Sequence, residues 1–288
     1  MRVKGAVKAL LRTGREVDNT ARQREASLAM NRVISGGAVE AAVVPGNMCD
    51  MPQAIVAETS LQAFEDRDWR QYFSTRLHGR GLEIGPLHRP MVRHDGMDVD
   101  YIDRLTVEEL RRHYPELKEL PLVEPNIIGD AQYLSEISND AYDFLISAHV
   151  IEHVLNPILA LKEWCRVIKP GGLIYLIVPD KRVIFDKKRV RTTLEHLILD
   201  FLEPSKERDF EHYLEYALFV HNKIGADAIE EARRLIATDY SIHYHVFIPS
   251  DIVSLLNWFS TCVSKIKILE GPVMAPGSDE FHFLLSKF

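Results

Sequence analysis

The chain has 288 residues, 46% of them hydrophobic and 27% charged, enough to bury a substantial core and to exclude fibrous and wholly disordered proteins. A net charge of −7 argues against a general nucleic-acid binder, and the dispersed Cys49, Cys165 and Cys262 argue against a disulfide scaffold or a thiolate zinc site. A reducing, cytoplasmic setting is expected.

Residues 1–36 carry eight Lys/Arg against three Asp/Glu. Val3, Val7, Leu10 and Leu11 recur at helical spacing, which predicts a short basic amphipathic helix ending near Gly14. About 10–12 residues rarely hold a membrane alone. The helix is therefore expected to dock on its own domain, with a weak membrane-surface or protein contact through residues 1–15 as the second reading. Charges interrupt the apolar residues at the start, so no signal-peptide core is expected, and no apolar run reaches the ~18–20 residues of a membrane span. Residues 35–59, with Pro45 and Pro52, read as a linker. A helix over 60–77 leads into the main domain.

From Gly79 short apolar runs alternate with longer amphipathic ones, the pattern of an α/β sheet. Strands are predicted at 80–84, 98–102, 124–128, 142–147 and 172–178, and helices at 106–113 and 154–168. The run Leu173 to Val178 has no alternation, as a central strand buried on both faces requires. Residues 181–240 are helical, charged and rich in His and Tyr, and read as an insertion carried on the sheet. A helix over 251–260 and an antiparallel pair, 265–270 and 280–286, close the chain.

The chemistry concentrates at the strand ends. Leu82-Glu83-Ile84-Gly85-Pro86 closes the first strand, and a glycine there lets a ligand approach the backbone. Asp103 closes the second strand, where nucleotide-binding sheets hydrogen-bond a ribose diol. Gly129-Asp130-Ala131, Ser147-Ala148-His149 and Pro179-Asp180 close the next three. A dinucleotide site would need G-x-G-x-x-G; Leu87 and Pro90 occupy the later glycine positions, so NAD is not expected.

Residues 80–180 resemble the class I S-adenosylmethionine-dependent methyltransferases, in particular the broad methyltransferase-domain family with a Glu-His pair after strand four. The matching stretches are LEIGP (82–86), VDYID (99–103), GDAQYL (129–134), YDFLISAHVIEHVLNP (142–157) and RVIKPGGLIYLIVPD (166–180). The tail 249–288 supplies the expected last two strands, whereas 1–75 and 181–240 are not covered. The resemblance implies a Rossmann-like seven-stranded sheet of order 3-2-1-4-5-7-6. The chain then divides into a basic helix and linker arm (1–59) and a methyltransferase domain (60–288) that includes a helical lid (181–245). It implies S-adenosylmethionine as cofactor, with Glu83, Gly85 and Pro86 at its methionine end, Asp103 on the ribose, Asp130 and Ala131 at the adenine, and Ser147 along its length. Leu87 stands where the family has a second glycine. The short stretch between the first two strands leaves no room for a full-length first helix.

Methyl transfer to a hydroxyl calls for a base, and imidazole suits neutral pH. His153 and His149 are the first candidates, and Asp180 is the alternative. Glu152 could orient either ring. HVIEH is not the H-E-x-x-H arrangement, so no metal site is expected. His243 and His245 would share one face if their stretch were extended. The basic run Lys181-Arg182 and Lys187-Lys188-Arg189-Arg191 would attract an acidic acceptor, or would be a solvated face. The function expected is methylation of a small-molecule acceptor, foremost O-methylation of a sugar or metabolite, with no nucleic-acid substrate. The alternative is a non-catalytic binding or scaffold protein of the same fold.

Overall fold

The computed structural model describes residues 67–288. The basic helix and linker expected within residues 1–59 lie outside the described residues. The elements in chain order are α1 (Trp69–Ser74), β1 (Gly79–Ile84), β2 (Met97–Asp103), α2 (Val107–His113), β3 (Ile127–Ile128), β4 (Tyr142–Ala148), α3 (Pro157–Val167), β5 (Ile168–Pro179), α4 (Leu194–Leu202), α5 (Lys206–Phe219), α6 (Gly225–Ala237), α7 (Pro249–Cys262), β6 (Ile266–Val273) and β7 (Glu280–Lys287).

The seven strands form one sheet of order β3-β2-β1-β4-β5-β7-β6, as the resemblance implies. The first five run parallel, and β7 is antiparallel to both β5 and β6. Leu173 to Ile177 pair with β4 on one side and β7 on the other, and Val178 with β7. Ile174 to Val178 are fully buried, as two covered faces require. Gly81 is needed beside Phe144: a Cβ on it would lie 2.0 Å from the Phe144 ring.

Local chemistry sets the helix ends. Thr106 and Glu109 form a reciprocal capping box at the start of α2. The Asn156 side chain accepts from Leu159 N–H and Pro157 opens α3. Within the described residues, the helix expected over 60–77 is six residues long, because Asp68 caps it at Gln71 N–H. No helix stands between β1 and β2. β3 has only two residues, since Pro125 has no N–H to donate and Asn126 N–H bonds Tyr101 from outside the strand.

Apolar clusters cover both sheet faces. Leu82, Leu145, Trp164 and Phe259 pack on one side, and Phe73, Phe144, Tyr175 and Leu284 on the other. The insertion has its own core of Tyr213, Ala217, Ala228, Leu235 and Ile242. Among the described residues, no helix is long and apolar enough to cross a membrane.

Candidate active site

The sheet's hydrogen bonding runs past the strand ends into the turns. Gly85 N–H donates to the Ile102 carbonyl (2.8 Å) and Gly129 N–H to the Asp103 carbonyl (2.9 Å). A cavity of about 560 Å³ opens at this edge. Gly85, Leu87, Asp103, Asp130 and Ala131 line one side, and His149, His153 and residues 239–244 line the other.

Gly85 has a φ of +59°, where a side chain would be strained. Leu87 has a φ of +45°, in the left-handed region that favours glycine. Holding leucine there costs about 1–2 kcal/mol. Asp103 is buried and accepts a long 3.4 Å bond from Leu105 N–H. Burial raises its pKa, against the pull of the Leu105 and Arg104 amides. Asp130 accepts from Gln132 N–H (2.7 Å), and the Ala131 carbonyl accepts from Trp164 Nε1 (2.9 Å).

Other predicted residues are not brought to the cavity wall. Glu83 lies under the loop, where Oε1 accepts from Met91 N–H (2.8 Å) and Oε2 is buried without a partner. Burial pushes its carboxyl up to about 7. Pro86 and Ser147 also lie outside the cavity lining, and the Ser147 hydroxyl is buried without a partner. Asp180 is buried too, and its carboxylate takes the Arg182 guanidinium (Nε to Oδ1, 2.9 Å). It does not face the cavity, which removes the geometry that a base at that position would need.

The two candidate histidines have different environments. His149 Nε2 donates to Glu280 Oε2 (2.7 Å), and Arg70 holds the same carboxylate with two 2.7 Å bonds. Burial lowers the His149 pKa, but Glu280 and Glu152 outweigh it and the net shift is upward. His153 is pushed down to about 3 by burial and by neighbouring His243. It is therefore a neutral ring at ordinary pH. Its Nδ1 donates to the Ile242 carbonyl (3.0 Å).

A further pair was not singled out by sequence. His243 lines the cavity, and its Nδ1 donates to Asp186 Oδ2 at 2.6 Å. Asp186 is fully buried and its other oxygen accepts from Arg189 Nη1 (3.0 Å). The signal was present in two pieces, an acid within a basic run and one of two adjacent histidines, separated by 57 residues. His243 and His245 do not share a face as expected, because the backbone bends at Tyr244 and His245. Glu152, His153 and His243 bring one ligating atom each within 4.8 Å of the others, and both Glu152 oxygens are buried without hydrogen bonds. That group can hold a proton, an acceptor's polar group or a cation.

The basic run after β5 is largely consumed internally. Arg182 pairs with Asp180, Arg189 with Asp186 and Glu215, and Arg191 with Asp251. Its arginines are thereby paired, while Lys187 and Lys188 remain exposed.

A sheet of this order, with an acid closing its second strand over a cavity, defines the class I methyltransferase fold. A family model described as a methyltransferase domain matches residues 61–247, and the chain belongs to this family. It is an S-adenosylmethionine-dependent methyltransferase. No curated protein matches the sequence. Among solved structures, the chain is similar to a SAM-dependent methyltransferase from Thermotoga maritima, with 16% identity over 76% of this chain and 87% of that one and a TM-score of 0.40. A SAM-dependent methyltransferase from Methanosarcina mazei has 17% identity, 78% and 99% coverage and a TM-score of 0.39. The plantazolicin methyltransferase, solved with a desmethyl substrate analogue and S-adenosylhomocysteine, has 11% identity, 76% and 80% coverage and a TM-score of 0.41.

Proposed function

We propose that this enzyme methylates a hydroxyl of a small molecule, a sugar or related metabolite, with His243 as the base that takes the hydroxyl proton. The observation that carries this reading is the 2.6 Å bond from His243 Nδ1 to buried Asp186 at the edge of the cavity.

The residues present fit the cofactor. Asp103 is a buried carboxylate whose one long bond leaves acceptor capacity for a ribose diol. Gly85 presents no side chain beside it, and Asp130 and Ala131, which line the same cavity, would meet the adenine. Glu83 would act at one remove, by fixing the loop through Met91. When bound, S-adenosylmethionine supplies a methyl group already activated on sulfonium.

The chain's own residues do the rest. With Nδ1 committed to Asp186, the His243 ring keeps Nε2 as its basic nitrogen, and Asp186 stabilises the imidazolium formed on protonation. Such a positioned base typically adds 10²–10⁴-fold. Neutral His153 stands across the ring at 4.6 Å and adds no competing charge. Phe185, Tyr114, Tyr216 and Tyr240 offer apolar faces with polar edges nearby, the lining that a sugar ring prefers. The residues of 181–245 that line the cavity would act as its lid, and a cavity of this size suits a small acceptor.

The test is a panel of sugars and small hydroxylated metabolites, read by release of S-adenosylhomocysteine, with calorimetry against S-adenosylmethionine. Asp103→Ala is expected to lose about 1.5–3 kcal/mol of cofactor affinity, the worth of hydrogen bonds to a charged group. Wild-type protein that binds no S-adenosylmethionine would sink the reading.

A further inference from the structure

The insertion holds a side-chain cluster that the cavity does not use. His196 and Asp200 sit one turn apart on α4, His212 is on α5, and His245 is on the segment leading into α7. One ligating atom from each lies within 4.8 Å of the other three. His196 Nε2 is 3.4 Å from His212 Nε2 and 3.0 Å from Asp200 Oδ2, and His212 Nε2 is 3.9 Å from that oxygen. Donors bound to one tetrahedral ion at about 2.0–2.1 Å stand about 3.3 Å apart. The three imidazole planes cross steeply, at 89°, 69° and 79°, so the rings meet by their edges rather than stacking.

Two of these groups have unused electron pairs in a dry place. His245 is fully buried and its Nε2 donates to the Leu155 carbonyl (3.2 Å). That fixes the tautomer and leaves Nδ1 as the lone-pair nitrogen, which is buried with no partner. Asp200 Oδ2 is also buried without a hydrogen bond, although His196 Nε2 is 3.0 Å away, because the geometry there is not that of a hydrogen bond. Its other oxygen accepts from Arg208 Nε (2.7 Å). A ring nitrogen tied to a backbone carbonyl and a carboxylate oxygen tied to a cation are the outer contacts that orient metal ligands. Buried lone pairs facing one another without a proton or a cation between them are costly.

We propose that His196, Asp200, His212 and His245 bind a divalent transition-metal ion, Zn²⁺ by their donor set. Three imidazoles and one carboxylate suit zinc, and four protein ligands leave no open position, so the site is structural. The ion would clasp α4 and α5 to the segment that carries His243 two residues before His245. The site makes no use of the methyl acceptor and stands apart from that assignment.

The experiment uses the untagged full chain, stripped with chelator, reloaded with Zn²⁺ and desalted before metal analysis. Wild type is expected to retain Zn²⁺, and His196→Gln to retain one equivalent less per chain with unchanged circular dichroism. His196 is the most exposed ligand, at 33% for its side chain, so its replacement is the mildest. Cobalt-loaded wild type is expected to show the intense visible bands of a tetrahedral ion. Wild type that retains no Zn²⁺ would overturn the proposal, as would His196→Gln and Asp200→Asn variants that both retain as much as wild type. Should the variants fail to fold, the cobalt spectrum of wild type decides: weak octahedral bands, or none, overturn the site. Calorimetry with S-adenosylmethionine on the same stripped samples separates loss of this site from loss of the cofactor site.

Discussion

Asp186 and His243 meet at 2.6 Å, the acid wholly buried and the ring at the cavity. His243→Ala is expected to lower turnover by 10²–10⁴-fold while the affinity for S-adenosylmethionine, measured by calorimetry, stays within a few-fold of wild type. Asp186→Asn should lower kcat more than it changes KM, because it misorients the ring without emptying the cavity. Unchanged turnover in His243→Ala would remove that residue from the chemistry and return the role to His149 or His153.

Glu83 makes stability depend on pH. Its carboxyl is pushed by burial from the ordinary 4.5 up to about 7. Between those values the folded chain binds more protons than the unfolded one, so stability falls as pH rises through the window. Glu83→Gln removes this loss. Its melting temperature should gain on wild type between pH 5 and pH 8, by the equivalent of about 1–3 kcal/mol. A gap that does not widen with pH would show that the carboxyl titrates normally.

Leu87 separates backbone strain from side-chain contact. At φ +45°, Leu87→Gly should leave the melting temperature nearly unchanged, since relief of about 1–2 kcal/mol of strain offsets lost packing and the entropy of glycine. Leu87→Val, β-branched at the same φ, should be at least about 1 kcal/mol less stable than Leu87→Gly by thermal or denaturant unfolding. Equal stability of the two variants would mean that the loop relaxes to another conformation.

The His149 ring gives a direct titration readout. Burial lowers its pKa and Glu280 and Glu152 together more than restore it, so an NMR titration should place the wild-type ring above the ordinary 6.5. Glu280→Gln should bring it down. For a histidine raised in the folded state, the stabilising contribution is full below about 6.5 and is lost as pH climbs through the raised value. The stability gap between wild type and Glu280→Gln should therefore narrow at alkaline pH. A ring that titrates identically in both proteins would contradict the pairing.

The sheet was legible because its residues answer to a short-range rule. Leu173 to Val178 can only be a doubly covered strand, and parallel register then brings Asp103 beside Gly85 at one edge. The direction of Glu83 was not legible, because it depends on a loop folding back so that Met91 N–H reaches the carboxylate. The fate of the basic run was hidden for a similar reason. Glu215 and Asp251, which neutralise Arg189 and Arg191, lie 26 and 60 residues downstream. The divergence of His243 and His245 rests on a bend that no alternation pattern encodes. The four-residue cluster spreads over α4, α5 and the approach to α7, with no compact spacing to mark it.

The two sides of the cavity are fastened differently. Helix α3 grips the loop after β3 by its carbonyls: Trp164 holds Ala131, and Arg166 holds Leu134 (2.6 Å) and Ile137 (2.7 Å). The facing segment 239–244 is held by the insertion and its neighbours: Arg189 donates to the His243 (2.7 Å) and Tyr244 (3.3 Å) carbonyls, His113 and Arg104 hold the Asp239 carbonyl, and Tyr213 meets the Tyr244 hydroxyl (2.6 Å). One guanidinium is therefore the common mooring of that wall, since Arg189 also holds Asp186 and Glu215. Arg189→Ala should speed amide exchange over 239–244 while leaving 131–137 unchanged.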